Sequence, residues 1–168
     1  MYERAHYYAE DMGPLRNSIK QGAGNEGGFL GEEAVLMAYP RAKRDSTYDY
    51  DIDLCGFKID VKTKETDYVP QSNFDVSIPI LNTKQACDFY LWTVVSKKNQ
   101  IAYILGYITK ELFFKGSVFW ERGQVDYVNG FTEKVGSYKL KVADLWPPEE
   151  LLNVTPYRVP RRPGVNIK

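Results

Sequence analysis

The sequence predicts an α/β or α+β domain whose strands are flanked by helices at both ends of the chain. Apolar residues recur at helical spacing near the N-terminus, and from residue 48 two runs alternate polar and apolar residues with period two. A later segment, rich in aromatic and β-branched residues, has the composition of a buried strand. The length of 168 residues sets the size at about one compact domain. Hydrophobic residues make up 43% and charged residues 26%, which argues against global disorder.

Two N-terminal helices are predicted, separated by a glycine-rich loop. Residues 2–12 carry apolar side chains at helical spacing, and residues 13–28 read as the loop. Residues 29–39 read as an amphipathic helix that Pro40 ends. Further helical turns are predicted at residues 109–114, capped by Thr109, and at residues 145–152, entered through two prolines.

The strands follow the second helix in chain order. They are predicted at residues 48–54, 57–64, 74–80, 87–95, 101–108 and 137–142. We expect residues 1–157 to form one domain. Residues 158–168, which are basic and contain prolines, are expected to be an extended or disordered tail.

Composition removes several classes of site. The one histidine, His6, lies near the N-terminus, which argues against histidine-based triads and histidine metal sites. Cys55 and Cys87 have no metal-binding spacing. The segment 22–27 matches G-x-G-x-x-G but follows no strand, so no nucleotide cofactor is expected. No apolar run could cross a membrane and no secretory signal is recognisable, so a cytoplasmic location without membrane contact is expected.

The most informative segment runs from residue 48 to residue 64. Apolar residues alternate with charged ones on both sides of Cys55-Gly56, which predicts a hairpin with one buried face. If Leu54 pairs with Phe57, the charged face takes a fixed register. That register sets Asp53 opposite Lys58, Asp51 opposite Asp60, and Asp49 opposite Lys62.

Two carboxylates directly opposite each other destabilise a plain sheet. A divalent cation between Asp51 and Asp60 reverses the sign of that interaction, and hard cations such as Mg²⁺ prefer carboxylate and carbonyl oxygens. Lys62 points to the same side as Asp60, where it could hold a phosphate or orient a metal-bound water. The ordinary alternative is a solvated hairpin face with incidental charges.

These residues resemble the PD-(D/E)xK nuclease superfamily. Asp51, a short hairpin and then Asp60-Val61-Lys62 match its strand motif, although Tyr50 stands where that motif has proline. Gly31-Glu32-Glu33, on the predicted helix, matches its helical glutamate in order and spacing. The stretch from Arg16 to Thr63 resembles small phage-encoded members, and the resemblance covers roughly residues 16–110.

The resemblance implies a restriction-endonuclease-like αβββαβ core with a mixed central sheet flanked by helices. It also implies Mg²⁺-dependent hydrolysis of DNA, in a bacterial host cell if the protein is phage-encoded, with Mn²⁺ able to substitute for Mg²⁺. Asp51, Asp60 and the Val61 carbonyl would bind the metal, with Glu32 binding it or acting through water. Lys62 would position the attacking water. Such nucleases often form homodimers.

The sequence leaves the helix ligand and the function each with an alternative. The helix ligand is Glu32 or Glu33. Glu32 is preferred because it lies toward the edge of the apolar stripe, where a carboxylate can reach the sheet rim without deep burial. The other glutamate would then be a surface residue near the helix N-terminus. A catalytically silent nucleic-acid-binding or protein-binding domain is the rival function. Candidate DNA phosphate contacts are Arg16, Lys20, Arg41, Lys43, Arg44 and Lys64.

Overall fold

The computed structural model describes residues 2–12, 25–45, 47–127 and 130–153. The α-helices are α1 (Tyr2–Met12), α2 (Asn25–Ala38) and α3 (Lys110–Gly116). The strands are β1 (Ala42–Arg44), β2 (Ile52–Leu54), β3 (Phe57–Glu65), β4 (Asp75–Pro79), β5 (Phe89–Ser96), β6 (Ile101–Thr109), β7 (Val118–Trp120), β8 (Val125–Asp126), β9 (Phe131–Thr132) and β10 (Ser137–Lys141). Short 3₁₀ turns cover Ile80–Asn82, Val142–Asp144 and Pro148–Asn153.

A mixed five-stranded sheet forms the centre of the molecule. Its strand order is β1-β2-β3-β5-β6, with β3 and β5 parallel and every other pair antiparallel. A second sheet has the order β4-β10-β7, and β8 pairs with β9. The predicted mixed central sheet with flanking helices is therefore confirmed.

Most of the predicted elements are present, with some shifted boundaries. Helix α1 matches its predicted range, whereas α2 starts at Asn25 inside the segment expected to be a loop. The first predicted strand is wrong over residues 48–51, because β2 begins only at Ile52. The helix expected at residues 145–152 is the 3₁₀ turn Pro148–Asn153. The predictions for residues 13–24 and for the tail lie outside the described residues.

The prediction of a single buried face for the hairpin is also wrong. One hydrophobic cluster, including Ile59 and Val61, lies between the central sheet and α2. A second, including Tyr90 and Trp92, covers the opposite face with help from the small sheet and α3. Asp60 lies on that second face and is only 1% exposed. Sheets that are covered on both sides bury both sets of alternating side chains, so the charged residues of β3 are not simply solvated.

Helix α2 approaches the sheet closely at Gly31. A Cβ atom built at this position would lie 2.0 Å from Thr63 Oγ1 and 2.4 Å from Thr93 Oγ1. Thr93 Oγ1 in turn donates a 2.9 Å hydrogen bond to Thr63 Oγ1. The missing side chain lets the helix rest on β3 and β5, and it fixes the position of Glu32, the next residue along the helix.

The connection between the parallel strands β3 and β5 differs from the expected core. An αβββαβ arrangement places a helix there, whereas this chain has β4 of the second sheet and the 3₁₀ turn Ile80–Asn82. In the described part of the chain no helix has the length and apolar character that crossing a membrane requires.

Candidate active site

The β2–β3 hairpin has the predicted register from Leu54 to Ile52, but the strand pair predicted between Asp51 and Asp60 does not form, because β2 begins only at Ile52. Leu54 pairs with Phe57, Asp53 with Lys58, and Ile52 with Ile59. Cys55 and Gly56 both have positive φ, at 56° and 88°, which is the backbone of a two-residue turn that matches strand twist. The pairing then stops at Ile52, which leaves a gap in the strand pairing beside β3 from Asp60 onward.

Asp51 fills this gap with its side chain. Its backbone N–H donates to Ile59 O at 3.0 Å, and its Oδ2 accepts a 2.7 Å hydrogen bond from the Val61 N–H. A strand residue directs its N–H and C=O toward the same neighbouring strand, so the Val61 carbonyl faces the same gap. Asp51 and the Val61 carbonyl, two of the predicted metal ligands, therefore lie at one opening in the sheet.

Asp60 and Lys62 form an ion pair on the adjacent face of β3. Lys62 Nζ lies 2.8 Å from Asp60 Oδ2, and the Asp60 side chain is 1% exposed. The approach does not have hydrogen-bond geometry, so this buried oxygen has no hydrogen-bond donor. The predicted pairing of Lys62 with Asp49 is wrong, because Asp49 lies before β2 and its Oδ1 accepts from the Ala86 N–H at 3.2 Å.

The charges of the predicted residues act on one another. Although Asp51 is half-buried as a residue, burial of its carboxyl group raises its pKa well above the ordinary value, and the nearby charges of Asp60 and Glu32 raise it further. Lys62 and the hydrogen bond from Val61 act in the opposite direction. Three carboxylates and one lysine from α2, the segment before β2, and β3 are thus brought together.

Arg44 binds both helix glutamates from β1. Its Nη1 contacts Glu32 Oε2, and its Nη2 donates to Glu33 Oε1 at 2.8 Å. Its guanidinium carbon lies 4.5 Å from the centre of the Tyr8 ring. The suggestion that Arg44 contacts phosphate does not fit this position, since its side chain is only 13% exposed and is bound to carboxylates.

The two glutamates differ in their surroundings. Both are buried, so the expectations that Glu32 avoids deep burial and that the other glutamate lies on the surface are wrong. Burial raises the pKa of Glu32 to about 7, against the lowering effect of Arg44, and the charges of Asp60 and Glu33 raise it further. Glu33 contacts Arg44 and also lies 3.5 Å from Arg4 Nε on α1. Glu32, rather than Glu33, is the glutamate whose charge acts on Asp51.

Buried residues behind Asp60, among them Cys87 and Tyr90, do not supply a reactive group. Burial raises the pKa of Cys87 to about 12, and burial also raises the pKa of Tyr90 well above its ordinary value. The charge of Asp60 raises both pKa values as well. Both groups therefore stay protonated near neutral pH, and neither is an activated nucleophile. The groups that could take part in a reaction here are therefore the carboxylates and Lys62.

The segment 85–88 contacts the site through Lys62, and no motif in the sequence pointed to it. Gln85 Oε1 accepts a 2.9 Å hydrogen bond from Lys62 Nζ, and Gln85 Nε2 donates to Tyr48 O at 3.2 Å. The Lys110 ammonium donates to the Gln85 backbone carbonyl. Asp88 completes the segment by accepting from the Lys58 N–H at 2.8 Å.

The donor chemistry fits a divalent cation. Within the described residues no group of three or more Asp, Glu, His or Cys side chains is already arranged as a metal site. Even so, Asp51 and Asp60 are desolvated carboxylates that repel each other, and Asp60 has a buried oxygen without a hydrogen-bond donor. A hard cation that takes oxygen ligands would offset the repulsion between two such carboxylates.

The candidate DNA contacts are scattered. Lys64 lies on the exposed part of β3, two residues beyond Lys62. Arg41 donates to the Leu152 carbonyl at 2.7 Å and so serves the fold. Arg16 and Lys20 lie outside the described residues.

Comparison with known proteins adds no family. No protein-family model matches the sequence, and no curated protein matches it either.

Proposed function

We propose that this chain is a Mg²⁺-dependent deoxyribonuclease that hydrolyses phosphodiester bonds in the manner of PD-(D/E)xK enzymes. The observation that carries the proposal is the gap beside β3. There the Asp51 carboxylate and the Val61 carbonyl lie next to the buried Asp60–Lys62 pair, and Glu32 acts on the same carboxylates. The order of α2, the antiparallel strands β1-β2-β3 and the parallel strand β5 also supports a restriction-endonuclease-like core.

The residues have separate roles in this proposal. Asp51, Asp60 and the Val61 carbonyl would hold the metal ion, and Glu32 would hold it directly or through water. When bound, the ion would supply a water of lowered pKa and positive charge close to the phosphate. Lys62 orients the attacking water and contacts the scissile phosphate. DNA is the substrate, Lys64 with Arg16 and Lys20 contacts its backbone, and a homodimer cuts both strands.

The test is single-turnover cleavage of plasmid and linear DNA in Mg²⁺ and in Mn²⁺ at fixed salt. Lys62→Ala should slow cleavage by 10²-fold or more, which corresponds to about 2.7 kcal/mol of transition-state stabilisation. Lys62→Arg should also be slow, since it keeps the charge but changes the size and the donor geometry. Lys98→Ala, in the exposed turn after β5, is the matched control.

Melting temperatures recorded alongside separate catalysis from folding. Lys62→Ala leaves the buried Asp60 without its ion-pair partner, so some loss of stability is expected. Near wild-type cleavage in both Lys62 variants would exclude a catalytic lysine. Metal-independent DNA binding without any cleavage would favour the silent binding domain instead.

A further inference from the structure

The lysine of the candidate site is held by a glutamine from a distant part of the chain. The Lys62 ammonium has two described partners, Asp60 on its own strand and Gln85 in the segment that precedes β5. Lys62 Nζ lies 2.8 Å from Asp60 Oδ2 and donates a 2.9 Å hydrogen bond to Gln85 Oε1. The ammonium is therefore held between a charged group on its own strand and a neutral acceptor from another part of the chain.

Gln85 is itself fixed at several points. Its Nε2 donates to Tyr48 O, in the segment that leads into Asp51, and its carbonyl accepts from Lys110 at the start of α3. The next residue, Ala86, donates from its N–H to Asp49 Oδ1 at 3.2 Å. Asp88 binds the backbone of Lys58 in both directions, at 2.8 Å each. A glutamine anchored in this way cannot follow Lys62 if the lysine swings away.

We propose that Gln85 is a positioning residue that sets the direction of the Lys62 ammonium relative to Asp51. Its side-chain amide links Lys62 to the segment that carries Asp51. The amide oxygen accepts from Lys62 Nζ, and the amide nitrogen donates to Tyr48 O. This inference rests on the proposed function, because it assigns Lys62 a role in cleavage. Gln85 itself touches neither metal nor DNA in this proposal.

The first experiment is a double-mutant cycle on the single-turnover cleavage rate in Mg²⁺. Gln85→Leu should slow cleavage at least tenfold in the wild-type background, with the DNA dissociation constant changed less than twofold. In the Lys62→Ala background the same substitution should change the rate less than twofold, because the group that it positions is gone. Gln85→Asn, whose amide is one methylene too short to reach both partners, should fall in between. Gln71→Leu, the same change in an exposed segment before β4, should leave the rate unchanged.

The second experiment does not depend on activity. In protein labelled with ¹⁵N-lysine, the Lys62 ammonium signal is identified by its loss in Lys62→Ala. It should shift or broaden in Gln85→Leu and in Gln85→Asn, and stay in place in Gln71→Leu.

The outcomes separate the two proposals. A tenfold loss that repeats in the Lys62→Ala background means that Gln85 acts through the fold, and it overturns the positioning role. An unmoved Lys62 signal overturns it as well, even if the wild type cleaves DNA. If the wild type cleaves no DNA while the signal still responds to Gln85, the proposed function and the catalytic meaning of the contact fail, and only the contact stands.

Discussion

Substituting two glycines of α2 tests how closely this helix must approach the sheet. Ordinary van der Waals contact begins at 3.4 Å, so a Cβ at Gly31, 2.0 Å from Thr63 Oγ1, intrudes by 1.4 Å. Relief requires moving the helix or rotating Thr63 and Thr93, whose mutual hydrogen bond is then lost. Gly28 lies one helical turn earlier, and a Cβ there meets nothing within 4 Å.

The expected magnitudes have opposite signs. Overpacking at Gly31 costs about 2 kcal/mol, and the broken threonine hydrogen bond about 1–2 kcal/mol. Better helix propensity returns about 1 kcal/mol. Gly31→Ala should therefore destabilise the protein by about 2–3 kcal/mol, and lower its melting temperature by roughly 5–10 °C. Gly28→Ala should stabilise it by about 0.5–1 kcal/mol.

Urea unfolding followed by tryptophan fluorescence, with thermal melts beside it, measures both variants. Cleavage by Gly31→Ala should also drop, because Glu32 follows directly in the helix. If Gly31→Ala proves as stable as Gly28→Ala, the close approach of α2 to β3 and β5 is wrong.

Three further predictions concern the carboxylates. Millimolar Mg²⁺ or Mn²⁺ should raise the melting temperature, because binding at a hundred times the dissociation constant stabilises the folded state by about 2.7 kcal/mol. Asp51→Asn should reduce this response and stabilise the metal-free protein. A wild-type melting temperature that does not change with metal would count against the metal site. Glu32→Ala should reduce cleavage at least tenfold more than Glu33→Ala. Equal rates, or a larger loss in Glu33→Ala, would overturn the assignment, and melting temperatures record how much stability each variant loses. Because the pKa of Glu32 is raised from 4.5 to about 7, its contribution to metal-free stability is complete below about pH 4.5 and is lost as pH rises through about 7. Urea unfolding at about pH 5 and about pH 8 should show this decline. Glu32→Gln should make the decline smaller, with the remainder due to Asp51, whose pKa is also raised.

The hairpin was predictable in detail because its information is local. Alternation around Cys55-Gly56 allows one register, and its first three pairs are observed, whereas the two pairs predicted beyond Ile52 are not. The same alternation could not reveal that both faces of the sheet are covered, since the second cover comes from the small sheet and α3, far along the chain. The end of β2 at Ile52 was missed for a related reason. The Asp51 side chain, rather than a backbone carbonyl, accepts from the Val61 N–H, and the alternation of polar and apolar residues continues past this point without a break.

The contacts of Arg44 and Gln85 were beyond sequence reasoning. Arg44 stands in a basic run that suggested contacts with DNA phosphates, and only the packing of α2 and β1 shows that it binds Glu32 and Glu33. Gln85 lies in a polar segment without a motif, 23 residues beyond Lys62. Both contacts join parts of the chain that tertiary structure brings together, whereas Asp60 and Lys62 are neighbours on one strand.

The parallel pairing of β3 with β5 affects the order in which parts of the candidate site form during folding. The β2–β3 hairpin can form early from a local turn, but Gln85 and Asp88 reach it only after the long connection closes and β5 pairs with β3. Such non-local closure is the slow kind of folding event. We therefore expect a nascent chain that has left the ribosome only as far as β3 to hold Asp51, Asp60 and Lys62 without a fixed direction for the lysine. The complete arrangement of the candidate site would then arise late, after most of the domain has been synthesised.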